Sequence, residues 1–516
     1  MAARPAKLHP RLLILFSALW VLSAGQLASA QVPLPPNFIS PDVPHDVPAG
    51  SNGIQDLAIF AWREFIALNW VAMDPATTNM RGRPNTNADF LGIKADSNGN
   101  FPLLVWQTYQ HKNELFPANG QTASSFDSKG PTYNYQTQPG QGKSYPLDPS
   151  QPTTSATLSL FNNLDEASEI GLAQMYAHYV NTTNNIRVAY EAKVNRAVFD
   201  YLNNNNFTQC PQQFCLTLST ASTKTGNNLA KYGGICSTDP SIVSLPCGDA
   251  QVTGDAGEGA IEIKAAWRKL TDPEIAKGRF FTQTVIYYSG PPSQQVYNNA
   301  VYGLIALHII HKTISFPTFV FATWEQIDNY NDATGQNTED LTFINLSSPP
   351  IPNIPVTRNH PIHSQIPPVN AAVLAAFTAK NPATIWQYYK LVGVQAKPVN
   401  GPPPAMAPTD DLSYYYLANI VVETNQTLQN FVGSVNDEGT PTPFLNVYLN
   451  GAPGSPFQMG GCQGCHGTQA QSMGGDMSRI IALAPYDSIG PIDSIDSDEA
   501  TSVRSYLRRS NAAPRR

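Results

Sequence analysis

Cys462 and Cys465 stand three positions apart, and His466 follows the second directly, in the run Gly460-Gly461-Cys462-Gln463-Gly464-Cys465-His466-Gly467. Two thiols at this spacing can each bond one of the two vinyl groups on one edge of a porphyrin, and the next residue can turn beneath the ring to offer imidazole nitrogen to the iron. That is the attachment chemistry of one covalent haem c. The glycines around the motif suit a chain that bends tightly beside a flat macrocycle. Other chemistries of paired thiols fit less well. A zinc site needs a second Cys or His pair at ligand spacing, and none follows. A thioredoxin-type disulfide sits in a βαβ pattern, which is not evident here.

With His466 on one side of the iron, the opposite ligand decides the chemistry. Met477 lies eleven residues after His466 and has the reach to pass around the ring edge, whereas Met473, seven residues after, is badly placed. Met459 precedes the motif and needs a tight reversal. Upstream, His308 and His311 lie three apart in an apolar segment. On a helix they would share one face, and either is a candidate sixth ligand. Both could instead be buried, hydrogen-bonded core histidines. With Glu325 they could form a separate metal site, although this spacing alone lacks an ordered third ligand. His360 and His363 repeat the spacing in a Pro-rich loop, where solvent exposure is expected.

The compartment agrees with the motif. Residues 1–30 read as a secretory signal: Arg4, Lys7 and Arg11 open it, an apolar run follows, and Ala28-Ser29-Ala30 offers a small-residue cleavage site. Cleavage there leaves 486 of the 516 residues, which exceeds the size at which one core keeps growing and predicts more than one domain. No later apolar run approaches the length of a membrane span. The formal net charge of −7 becomes −10 without the three basic residues of the signal, which argues against nucleic acid as a partner. A periplasmic or secreted protein follows, its partner a redox protein or a small-molecule substrate that the sequence does not specify. The four other cysteines, Cys210, Cys215, Cys236 and Cys247, are an even number in an oxidising compartment and predict two disulfides. Three pairings are open, with the local ones, Cys210–Cys215 and Cys236–Cys247, preferred.

The elements that must position these residues point to an α+β chain of several domains. After the signal, residues 31–250 read as a mostly helical region with a disulfide-pinned loop, 251–400 as a mixed α/β region, and 401–516 as a mainly helical or irregular segment that carries the haem. Hydrophobic periodicity predicts helices over 56–70, 164–179, 185–203, 368–380 and 412–431. Alternation predicts strands within 103–109 and over 260–267, 279–288 and 319–326, while 302–313 is open between helix and strand. Residues 117–160 and 348–368 read as long loops, and the arginines of residues 504–516 as a solvated tail or a docking patch for an acidic partner.

The CxxCH motif resembles that of the bacterial c-type cytochromes. The blocks AWREFIALNW, EIKAAWRKL, LHIIHKT and FATWEQIDN extend the likeness over most of the mature chain to a group of large exported bacterial proteins of the cytochrome c family. The resemblance implies haem attachment outside the cytoplasm and one-electron transfer. The length of the upstream region keeps a second reading open, a haem-dependent oxidoreductase of peroxidase or oxygenase type with an open sixth iron position.

Overall fold

The computed structural model describes residues 32–48, 50, 53–97, 99–111, 115–116, 125–127, 188–208, 216–289, 296–330, 362–396 and 461–483. The signal segment, the loop over 117–160 apart from 125–127, the helices expected over 164–179 and 412–431, Cys210, Cys215, His360, Met459 and the arginine-rich tail lie outside these residues.

The described chain is an α+β structure built on one seven-stranded antiparallel sheet. Its strands are β1 (Gln110–His111), β2 (Val188–Val194), β3 (Ile261–Lys269), β4 (Thr282–Ser289), β5 (Val296–His311), β6 (Val320–Gln326) and β7 (Tyr389–Gln395). They lie in the order β1-β2-β3-β5-β6-β7, with β4 paired to the first half of β5. The sheet thus takes strands from both sides of residue 250.

Residues 302–313, open between two readings in sequence, are mostly the second half of β5. Its register sets Ile261 opposite His311 and Lys264 opposite His308. Successive side chains on a strand point to opposite faces, so His308 and His311 fall on different sides of the sheet rather than on one helical face. The expected strand within 103–109 is instead a 3-10 turn over Trp106–Thr108, with the short β1 after it. The expected helix over 185–203 divides into β2 and a shorter helix, α2 (Arg196–Asn204). Asn195 makes the division: its Oδ1 accepts from the Val198 N–H as an N-cap and from Ile261 N on the neighbouring strand.

On the His311 face lie α1 (Ile54–Leu68) and α4 (Ile366–Lys380), with α3 (Leu216–Gly226) elsewhere on the body. Every apolar residue of α1 except the partly buried Ile59 is shut from solvent, which is why its sequence is apolar nearly all round. Trp62 and Phe65 pack on Trp324 of β6 with ring centroids 6.0 Å and 5.1 Å away, and Trp62 Nε1 donates to Asn370 Oδ1 of α4 at 2.9 Å. Fully burying one such aromatic contributes about 1.5–3 kcal/mol, so this layer is the main driving force of the fold.

Candidate functional site

The CxxCH motif lies on the opposite face of the sheet. Gly461–His466 forms a helical turn, α5, which runs straight into a π-helical turn over Gly467–Gln471. Positions 462 and 465 are therefore one turn apart on the same helix, and Cys462 is buried, at 4% exposure. The next residue of the motif anchors the turn to the sheet: the Gln463 N–H donates to Gln395 Oε1 of β7 at 3.0 Å, and Gln463 Nε2 donates to Thr318 O at 3.1 Å. His466 meets the ring of Phe321 edge-on at 4.9 Å between centroids.

The helix is stopped by its glycines. The Gly474 N–H donates to Gln471 O at 2.9 Å and the Gly475 N–H to Ala470 O at 2.8 Å, the paired bonds of a Schellman stop. Gly474 takes the left-handed conformation this stop requires, with φ +78°. It also lies so close to α3 that a Cβ there would sit 1.9 Å from Ser222 O. Only glycine meets both demands.

Beyond the stop the chain doubles back. Asp476 and Met477 both have positive φ, 52° and 68°, and a short helix, α6 (Arg479–Leu483), follows. The reversal brings the Met477 carbonyl 2.5 Å from His466 Nδ1. A carbonyl can only accept, so Nδ1 carries the proton and Nε2 is the basic ring nitrogen. The Met477 side chain is fully buried, while Met473 is exposed at the surface.

Asp476 closes the assembly. Its Oδ2 accepts from Lys312 Nζ at 2.5 Å and from Leu245 N at 2.6 Å, and Lys312 Nζ also donates to Ile235 O at 2.8 Å. Asp476, Lys312 and Leu245 are buried, and Ile235 is partly buried. Burial pushes the Asp476 carboxyl up to about 6 against the opposing pull of Lys312, and burial lowers the Lys312 amine. Cys236 and Cys247 are joined in a disulfide that closes the loop carrying Leu245. The pairing is the local one of those open in sequence.

The other predicted residues separate cleanly. His308 lies on the CxxCH side of the sheet, its Nδ1 2.6 Å from Thr323 Oγ1 and its ring 6.0 Å from that of Phe321. His308 and His466 thus pack on the same phenyl ring. His311 lies on the other side, where its Nδ1 is 2.5 Å from Glu64 Oε1 of α1. His363, expected in solvent, is buried at the start of α4, where its Nδ1 accepts from Gln365 N at 3.2 Å. Among the described residues no group of three or more His, Cys, Asp and Glu side chains is placed to hold a metal ion, and no helix is long and apolar enough to cross a membrane.

Lys312, Asp476 and Phe321 lie outside the motif, and neither they nor Gln463 within it were legible as site residues. Lys312 and Asp476 are 164 positions apart, and nothing local in either neighbourhood announces the pair. No protein-family model matches the chain, and no curated protein or solved structure matches it either.

Proposed function

We propose that the chain is an exported c-type cytochrome with one haem bound through thioethers to Cys462 and Cys465, its iron ligated by His466, and that it works in electron transfer. The observation that carries this reading is the Met477 carbonyl on His466 Nδ1 within a helical CxxCH turn. Histidines that ligate a metal nearly always donate their second ring N–H to a carbonyl or carboxylate, which fixes the tautomer and makes the ligating nitrogen more basic. Haem c, once bound, supplies a one-electron iron couple whose potential follows its axial ligands and burial. The chain's own part is to hold Nε2 in one orientation and to keep the turn pinned to the sheet through Gln463.

His308 is the residue that would hold the opposite iron position. It shares a sheet face and an aromatic neighbour with His466. Met477 presents its carbonyl to the Nδ1 side of the imidazole, away from the nitrogen that would hold iron. His311 is on the far side of the sheet, engaged with Glu64.

The test is a pyridine haemochrome assay on protein made in a host with cytochrome-maturation machinery. One haem c per chain is expected, and none after Cys462→Ala with Cys465→Ala. A colourless wild-type protein overturns the reading. A high-spin spectrum with ready cyanide binding moves it from electron carrier to haem-dependent oxidoreductase.

A further inference from the structure

The carbonyl that orients His466 belongs to a residue in an unfavourable conformation. Met477 has φ +68°, and the residue before it, Asp476, has φ +52°. Asp tolerates this region, but Met does not, and an off-region residue of this kind costs about 1–3 kcal/mol unless its surroundings hold it. Two contacts hold it here. The Met477 side chain is in the apolar core, and the Asp476 carboxylate is tied to Lys312 Nζ and Leu245 N.

Both donors belong to rigid parts of the body. Lys312 directly follows β5, and its own N–H donates to Ala260 O at 2.9 Å. Leu245 lies within the loop closed by the Cys236–Cys247 disulfide, and Ile235, just outside that loop, receives a second bond from Lys312 Nζ. The path from the sheet to the imidazole is short: Lys312, Asp476, the Met477 carbonyl, His466 Nδ1.

Resting on the haem c reading, we propose that Lys312 and Asp476 are positioning residues for His466: their buried pair anchors the left-handed turn and so keeps the Met477 carbonyl on Nδ1. The carbonyl makes Nε2 a stronger donor, which favours the ferric state and holds the potential down. Without the anchor the turn relaxes, the bond weakens and the potential rises.

The experiment compares the full-length wild type with the double variant Lys312→Met/Asp476→Asn, which leaves no unpaired buried charge. Two readouts are taken: the midpoint potential of the haem-loaded protein, and the nitrogen-15 shifts of His466 in chain made without haem. The variant should show a more positive potential, and the His466 signal should lose its fixed Nδ1-protonated character. If wild type carries no haem, the cytochrome reading falls, and the nitrogen shifts still decide the positioning. Unchanged shifts, or an unchanged potential in a loaded variant, overturn the inference. If circular dichroism shows the double variant unfolded, Asp476→Glu replaces it. That variant keeps the charge and displaces the carboxylate, and it should shift both readouts in the same direction, with no shift again overturning the proposal.

Discussion

His311 and Glu64 meet at 2.5 Å between Nδ1 and Oε1, both fully buried, on the α1 side of the sheet. The very next residue, Lys312, meets Asp476 on the other side. The end of β5 thus carries two buried ionisable pairs, one for each face, and only the second touches the CxxCH segment. Burial pushes the Glu64 carboxyl up, opposed by the hydrogen bond from His311. Glu64 Oε2 and His311 Nε2 have no hydrogen-bond partner among the described residues, so the pair is not a fully satisfied network. Removing one member strands the other. Glu64→Ala should lower stability by about 3 kcal/mol, while Glu64→Met with His311→Leu should cost clearly less than the two single changes together. Urea midpoints of the wild type, Glu64→Ala, Glu64→Met, His311→Leu and the double variant check this, and simple additivity in the Glu64→Met/His311→Leu cycle would show that the two side chains do not act as a unit.

If haem c is bound as proposed, the three candidates for the sixth iron ligand make separable spectra. On the geometry above, His308→Ala should convert a low-spin haem to high-spin and open the iron to cyanide. Met477→Leu keeps the backbone carbonyl and the buried volume and should leave the spectrum as it was. His311→Ala should change the urea midpoint but not the absorption bands. A loss of low-spin character in Met477→Leu, with none in His308→Ala, would reverse the assignment.

Glu258 gives a pH dependence with a definite sign. Its carboxyl is raised from 4.5 to about 7, first by burial and then by Asp255, against His311, Asn195 and Arg83. A carboxyl raised on folding holds its proton longer in the native than in the unfolded chain. Its contribution to stability is complete below about pH 4.5 and is lost as the pH rises through about 7. Glu258→Gln keeps the shape and removes the titration. Relative to wild type, that variant should gain stability between pH 5 and pH 8. Midpoints measured at both values decide it, and a difference between variant and wild type that does not change with pH would rule it out.

The sequence was a good guide wherever one local pattern had one structural meaning. Alternation in AIEIKAAW and FVFATWEQ corresponds to β3 and β6, and the apolar period of DLAIFAWREFIAL to α1. It misled where two elements share a run. Residues 185–203 have helical spacing overall, but the first part is paired along β3 and only the part after Asn195 is free to coil, so tertiary pairing overrode propensity. The strand β7 went unread because YKLVGVQ is short and contains glycine. At the candidate site, the spacing of Cys462, Cys465 and His466 is legible in sequence. The contacts of Gln463 and of the Asp476–Lys312 pair join residues far apart in the chain and leave no trace in any window.

The glycine that ends the CxxCH helix should be among the least replaceable residues of the segment. At Gly474 two demands coincide, a φ of +78° and a close approach to the backbone of α3 at Ser222. Alanine in the left-handed region costs about 1 kcal/mol or more by itself. The methyl group would also have to displace Ser222 O, so the turn and α3 must separate. That movement pulls on Asp476 and Met477, two and three residues on, and so on the carbonyl at His466 Nδ1. Gly474→Ala is therefore expected to lower both the urea midpoint and the haem c content, whereas Gly278→Ala, with φ +60° and no atom within 4 Å of its added carbon, should lower the midpoint alone. Equal haem contents in the two variants, measured by pyridine haemochrome, would mean that the approach to α3 does not govern how the motif is presented.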